Sequence, residues 1–360
     1  MKCLPTTKIP LARGNILHDW HAEVLCMRAF NHFLLRECKS ILTDAVDSPY
    51  LCLRVTKDAD FTAPGRPQAP FAWRDDVTLH MYCSEAPCGD ASMELTIAAQ
   101  EDATPWEAPL SKKMMEKTGL STGSCESTPD PLLLGRACFS RLGVVRRKPA
   151  RPDAPPTLSK SCSDKLAAKQ CTSLLSSVTS LLVSPENVYL TSLILPESQY
   201  SATAVERCFS PQGRMGSVQG SWEGGYAFQP FEVRTTGMVF HFSRRVDGLE
   251  GTKYVASNLA ALWTANGLVE SIIGGALQGR KQTDPKGGSA VSRKNMWTLA
   301  GHIAGQVAGI DKSNFGQGTY KGLKDAEALA ERRKVKQGLR AEALKGWVRN
   351  IGDEEFGMAL

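Results

Sequence analysis

The sequence predicts an α/β domain with a helical C-terminal portion, and three observations carry that prediction. Apolar residues recur at helical spacing between residues 21 and 42, at Leu25, Ala29, Phe30, Phe33 and Leu34. Residues 77–83 alternate like a strand, and strand-like runs return at 187–195 and near 268–273. The last third reads as helix, with residues 326–344 rich in Ala, Leu, Glu, Lys and Arg. Strands interleaved with helices place the whole chain, 1–360, in one domain.

Taken in order, the first helix has Asp19 where a cap belongs. After the strand at 77–83, Pro87-Cys88-Gly89-Asp90 makes a turn into a second helix. Pro, Ser, Thr and acidic residues then accumulate, which predicts a flexible insertion over 101–131. Residues 146–156 form a basic, proline-rich loop that leads to Ser161-Cys162-Ser163-Asp164 and a third helix over 164–182. Residues 231–234 and 238–242 read as a strand pair.

Composition narrows the function classes. With 42% hydrophobic and 22% charged residues the chain can bury a core, so disorder is excluded as the default. A net charge of +6 permits a polyanionic partner without requiring one. The eleven cysteines are odd in number, and no apolar run follows Met1-Lys2-Cys3-Leu4-Pro5. A disulfide framework, a secretory leader and a membrane span are therefore not expected, which points to a reducing compartment, cytoplasm or nucleus. Oligomeric state is not legible.

Three short elements carry chemistry. His21-Ala22-Glu23 opens the first helix, so the imidazole can ligate a metal while the carboxylate two residues on stays free to move protons. Cys88 precedes a helix start, where the dipole favours the thiolate that binds zinc. Ala91 occupies the place of a second, closely spaced cysteine, so a third ligand comes from elsewhere, and Cys162, also before a helix, supplies one. Three protein ligands leave a fourth tetrahedral position for water, as a catalytic zinc requires.

Together His21-Ala22-Glu23, Pro87-Cys88-Gly89-Asp90-Ala91 and Ser161-Cys162-Ser163-Asp164-Lys165 resemble the adenosine deaminases acting on RNA. Residues 14–24, 148–156 and 165–171 are similar to the branch that acts on transfer RNA, and the similarity spans nearly the whole chain. The resemblance implies a cytidine-deaminase-like fold, a mixed sheet flanked by helices. It also implies zinc-dependent hydrolysis of adenosine to inosine, next to the anticodon on its 3′ side, in an alanine tRNA, with no DNA partner. His21, Cys88 and Cys162 would hold zinc and Glu23 would carry the proton. A deaminase of pre-mRNA or double-stranded RNA, and a catalytically silent RNA-binding relative, are the alternatives; no double-stranded-RNA-binding segment is seen in the sequence.

The resemblance further implies an inositol hexakisphosphate buried behind the active site. By position its contacts would be Arg28, Lys165, Lys294, Tyr320, Lys324, Lys334 and Trp347, although the basic residues of 321–336 could instead form a solvated helix face. Asp19 and Lys148, with Lys165, would form a polar relay between that anion and the zinc. Lys2, Arg146, Arg147 and Arg151 are the candidate RNA contacts, as solvated cations or on phosphate. This chain departs from the family at Met27 and Ala168, which stand at basic positions, and at His18, which stands at an asparagine. Its first residues match a point inside the family's domain, so an opening helix and strand are expected to be lacking.

Overall fold

The computed structural model describes residues 2–44, 47–54, 69–98, 141–148, 154–243, 257–308, 310, 312–316 and 318–358. The 101–131 segment and Arg151 lie outside the described residues. Helix α1 (Ala22–Thr43) is the spine of the domain. One stretch of it, with Leu25 and Ala29, enters a small core formed by the N-terminal segment, including Leu17 and Trp20, and by Leu262 and Ile272. Its second half, with Leu34, Leu35 and Cys38, enters the main core. Each such fully buried leucine contributes about 1.5–3 kcal/mol, which accounts for a 22-residue helix lying between two layers.

Three small sheets surround this helix. Strands β1 (Leu51–Leu53) and β2 (Phe71–Trp73) pair antiparallel. Strands β3 (Leu79–Tyr82), β4 (Leu190–Pro196) and β5 (Glu232–Thr236) pair in parallel, in that order. The antiparallel set is β6 (Leu259–Trp263), β7 (Val269–Ile273) and β8 (Ala276–Leu277). The other helices that matter to the site are α2 (Met93–Ala98), α3 (Cys162–Thr172), α4 (Ala202–Phe209), α5 (Arg293–Gln306), α6 (Tyr320–Asp325) and α7 (Ala330–Ala341). The architecture is mixed α/β, with the elements divided among small sheets rather than gathered in one. Among the described residues no helix is long and apolar enough to cross a membrane.

Two expectations are corrected. Residues 238–242 are not a strand, and β5 pairs instead with β4. The alternation of Met238-Val239-Phe240-His241-Phe242 mimics a strand, but local bonds divert the backbone: Met238 N–H donates to Thr236 Oγ1, and Ser243 N–H to the Phe240 carbonyl. The third helix stops at Thr172, not near residue 182. Ser173 takes φ 54°, and side chains from elsewhere satisfy the freed carbonyls. Arg332 donates to the Thr172 and Leu175 carbonyls, and Lys169 to those of Leu174 and Leu175.

Two buried histidines give the fold an acid sensitivity. Burial, then Arg36, pushes His32 down to about 4, and burial, then Arg293, pushes His18 down to about 4 despite its contact with Asp353. An unfolded imidazole titrates near 6.5, so the unfolded chain binds the extra protons first as pH falls. Their stabilising contribution is complete above about pH 6.5 and is lost as pH falls toward 4. Urea midpoints are expected to drop between pH 6.5 and 4.5 and to drop less in His32→Gln; equal slopes for both proteins would contradict the assignment.

Candidate metal centre

Three chain segments meet at the site because each ends where a helix begins. His21 occupies the position before α1 without capping it, which frees its imidazole, and its backbone N–H is held by Asp19 Oδ1 at 3.0 Å. Cys162 is the first residue of α3, whose start is capped by Ser161 through a bond from the Asp164 N–H. Cys88 precedes a 3-10 turn at Asp90–Ser92, reached through Gly89 at φ 107°. A Cβ at Gly89 would lie 2.3 Å from Ser161 Oγ, so only glycine lets these two starts touch. Ser163 Oγ donates toward the Pro87 and Cys88 carbonyls and accepts from the Ala91 N–H, stitching them together.

One ligand atom each from His21, Cys88 and Cys162 lies within 4.8 Å of the others. His21 Nδ1 and Cys88 Sγ are 3.9 Å apart, near the edge of about 3.6–3.8 Å expected for donors around one tetrahedral zinc. Cys162 is fully buried, and its N–H points at Cys88 Sγ. Bonding from Cys162 pulls the Cys88 thiol well below its ordinary range against its burial, with Lys148 and His21 adding to the pull. Burial lowers His21, but bonds to Cys3 and Cys88 more than offset it and bring it up to about 10. A thiolate facing an imidazolium is the arrangement a divalent cation would replace, so the donor set fits zinc.

Glu23 stands in the first turn of α1, and its carboxylate is near enough to raise the thiols of Cys162 and Cys83, after burial, the leading cause in each. Lys2 is half-buried beside it; burial lowers its pKa and Glu23 partly offsets this. Behind the triad, Lys148 Nζ donates to Cys162 Sγ at 3.1 Å and to Asp19 Oδ2 at 2.9 Å. Asp19 also accepts from Ser159 Oγ at 2.6 Å and from Lys165 Nζ. Burial would raise this carboxyl, but Lys148 and Lys165 hold it well below the usual carboxylate range.

Lys165 opens onto a cavity of about 370 Å³ between α1, α3, α5 and α7. Of the other residues named for the anion, Arg28, Tyr320 and Trp347 line this cavity, whereas Lys294 and Lys334 do not. Lys334 is exposed and pairs with Glu331 at 2.5 Å. Lys324 approaches from the side, 5.3 Å from the Tyr320 ring centre. The cations the sequence reading missed are Lys169, Arg293, Arg332, Lys336 and Arg340. The last three belong to α7 at a spacing of four, a one-face pattern that the sequence does carry. Arg146 and Arg147, expected on RNA, are buried; the Arg146 N–H is fixed by Asp164 Oδ2 at 2.9 Å, and Arg147 bridges in backbone to Lys160.

The profile of the adenosine-deaminase (editase) domain family matches residues 1–351. The tRNA-specific adenosine deaminase 1 of Schizosaccharomyces pombe is 33% identical over 98% of this chain and 82% of its own length. The protein of that name from Saccharomyces cerevisiae is 32% identical over 54% of this chain and 44% of its length. The double-stranded RNA-specific editase Adar of Drosophila melanogaster is 25% identical over 52% of this chain and 25% of its length.

Proposed function

From the premise that this chain belongs to the adenosine-deaminase (editase) domain family, we propose that it is a zinc-dependent deaminase converting adenosine to inosine in tRNA. The observation that carries the reading is the convergence of His21, Cys88 and Cys162, with Glu23 in the first turn of the helix that His21 precedes. The substrate is drawn from the relatives named for tRNA, of which the S. pombe protein aligns with nearly the whole chain. Alanine tRNA, at the adenosine 3′ of the anticodon, is the substrate that the family resemblance implies.

His21, Cys88 and Cys162 would hold the zinc, which when bound supplies Lewis acidity that lowers the pKa of a water from 15.7 to about 7. Glu23 does the proton work. Its carboxylate takes a proton as water oxygen bonds to carbon 6 of adenine, and passes it to ring nitrogen 1. It then moves the second water proton to the exocyclic amine, which leaves as ammonia, so adenosine and water give inosine and ammonia. Lys148 holds Cys162 Sγ in place, and its cation helps lower the neighbouring Cys88 thiol. Incubation with alanine tRNA and with long duplex RNA is expected to yield inosine in the first; inosine in duplex RNA alone would overturn the tRNA reading.

The cavity behind the site suits inositol hexakisphosphate. Its described lining includes Arg28, Lys165, Lys169, Arg293, Arg332, Lys336 and Arg340, and no carboxylate. Burial, then Arg293, lowers Arg28 to about 10, and burial, then Arg332 and Lys169, pushes Lys336 well below a lysine's ordinary range. Crowded, desolvated cations of one sign call for an anion to offset them. Lys165, shared by the cavity and Asp19, would join that anion to the Lys148–Cys162 contact. Denatured, purified protein is expected to release phosphate matching one inositol hexakisphosphate per chain, and an active preparation free of it would overturn the assignment.

A further inference from the structure

The parallel sheet carries an aromatic loop at its C-terminal edge. Strands β3, β4 and β5 run in one direction, so their C-terminal ends share an edge. In open α/β sheets ligands bind outside such ends. From β3 the chain enters the turn that carries Cys88, six positions after Tyr82, a reach of at most about 20 Å. Cys83, next to Tyr82, is buried and senses the Glu23 carboxylate. From β5 the chain enters residues 238–242, and Tyr82 Oη donates to the Met238 carbonyl at 3.3 Å, tying that loop to the end of β3.

This loop is apolar and open to solvent. Met238 is 78% exposed, Phe240 49% and Phe242 80%, with Tyr82 at 41% beside them. The Phe240 and Phe242 rings meet edge to face, 5.7 Å apart at 66°, and His241 meets Phe242 at 4.8 Å and 76°. Edge-to-face contact turns the faces of the two rings in different directions and leaves at least one face of each uncovered by the other. A deaminase must take its adenine out of any stack, so the bases flanking it lose neighbours and need new surfaces. Aromatic side chains provide such surfaces for unpaired bases whatever their sequence.

We infer that Phe240 and Phe242, supported by Tyr82, form a stacking platform for unpaired bases beside the reacting adenosine. The inference rests on the RNA-deaminase reading above and assigns part of the substrate grip to this loop. Its occupant is single-stranded RNA, such as an anticodon loop, because the loop follows the C-terminal end of β5 and is tied to the end of β3, the strand that leads into the turn carrying Cys88. It also presents separate ring faces rather than one flat apolar surface.

The test uses the full chain carrying Phe240→Ala with Phe242→Ala, alongside the pair Phe240→Leu with Phe242→Leu. The probe is an alanine tRNA transcript, with affinity read by filter binding and KM and kcat by inosine formation. Both rings are exposed, so zinc content and melting temperature serve as folding controls. Loss of a stacked base is expected to weaken affinity and raise KM on the order of tenfold or more, with a smaller effect on kcat. The leucine pair should lose as much, because leucine keeps apolar area without a π face, and Phe242→Tyr should restore binding. Unchanged affinity in the alanine pair, or wild-type affinity in the leucine pair, would overturn the platform. Absence of inosine with the unaltered chain would instead sink the deaminase reading, while filter binding would still decide the platform.

Discussion

Replacing Glu23 by glutamine is expected to stop inosine formation in tRNA while zinc content stays at one per chain. Glutamine keeps the size and the position in the first turn of α1 but cannot take a proton. None of the three ligand residues is altered, so the metal should be retained. Losing a positioned general acid–base group costs about 10²–10⁴ in rate. The upper end is expected here, since the one carboxylate serves both proton transfers. Reverse transcription across the edited site measures the product, and elemental analysis the metal. Turnover within tenfold of the unaltered chain would remove Glu23 from the mechanism; loss of zinc with activity would make its role structural.

The second large effect is expected at Asp19. It is buried and receives Lys148, Lys165, Ser159 and the His21 backbone. Asp19→Asn keeps an oxygen for some of these bonds but removes the charge facing two lysines. Breaking a buried ion pair from one side costs about 3–5 kcal/mol. For a domain of this size, that corresponds to a fall in melting temperature on the order of 10 °C. Lys148 would then face Cys162 without its counterion, so weaker zinc retention against a chelator is expected too. A melting temperature within a degree of the unaltered chain would show that the charge is already compensated elsewhere.

The two effects differ in how far they could be read from sequence. His21, Cys88 and Cys162 were legible because each sits at a helix start and the short motifs around them are distinctive. The span of α1 was legible because its apolar period is regular. The end of the third helix was not, since Arg332, far along the chain, satisfies the carbonyls that Ser173 frees. The sequence does not tell Lys334 from Lys336 for a similar reason: basic residues crowd that stretch, and only packing separates the inward face of α7 from the outward one. Arg146 and Arg147 looked like solvated cations, because burial of an arginine depends on partners distant in sequence. The short strands β1, β2 and β6 carry three to five residues each, too few to show a period.

The junction of Gly89 with Ser161 bears on how the family can vary. Cys88 and Cys162 are 74 positions apart, yet the Cys162 N–H on Cys88 Sγ and the Ser163 hydroxyl bonds hold their two segments together. The entropy of closing such a loop grows only logarithmically, and doubling its length costs about 0.6 kcal/mol. Lengthening the chain between the two cysteines therefore costs the metal site little, provided the segment that carries Lys148 and Ser159 is kept. A single methyl group at Gly89 would cost it more. The intervening chain can lengthen while the join itself stays fixed.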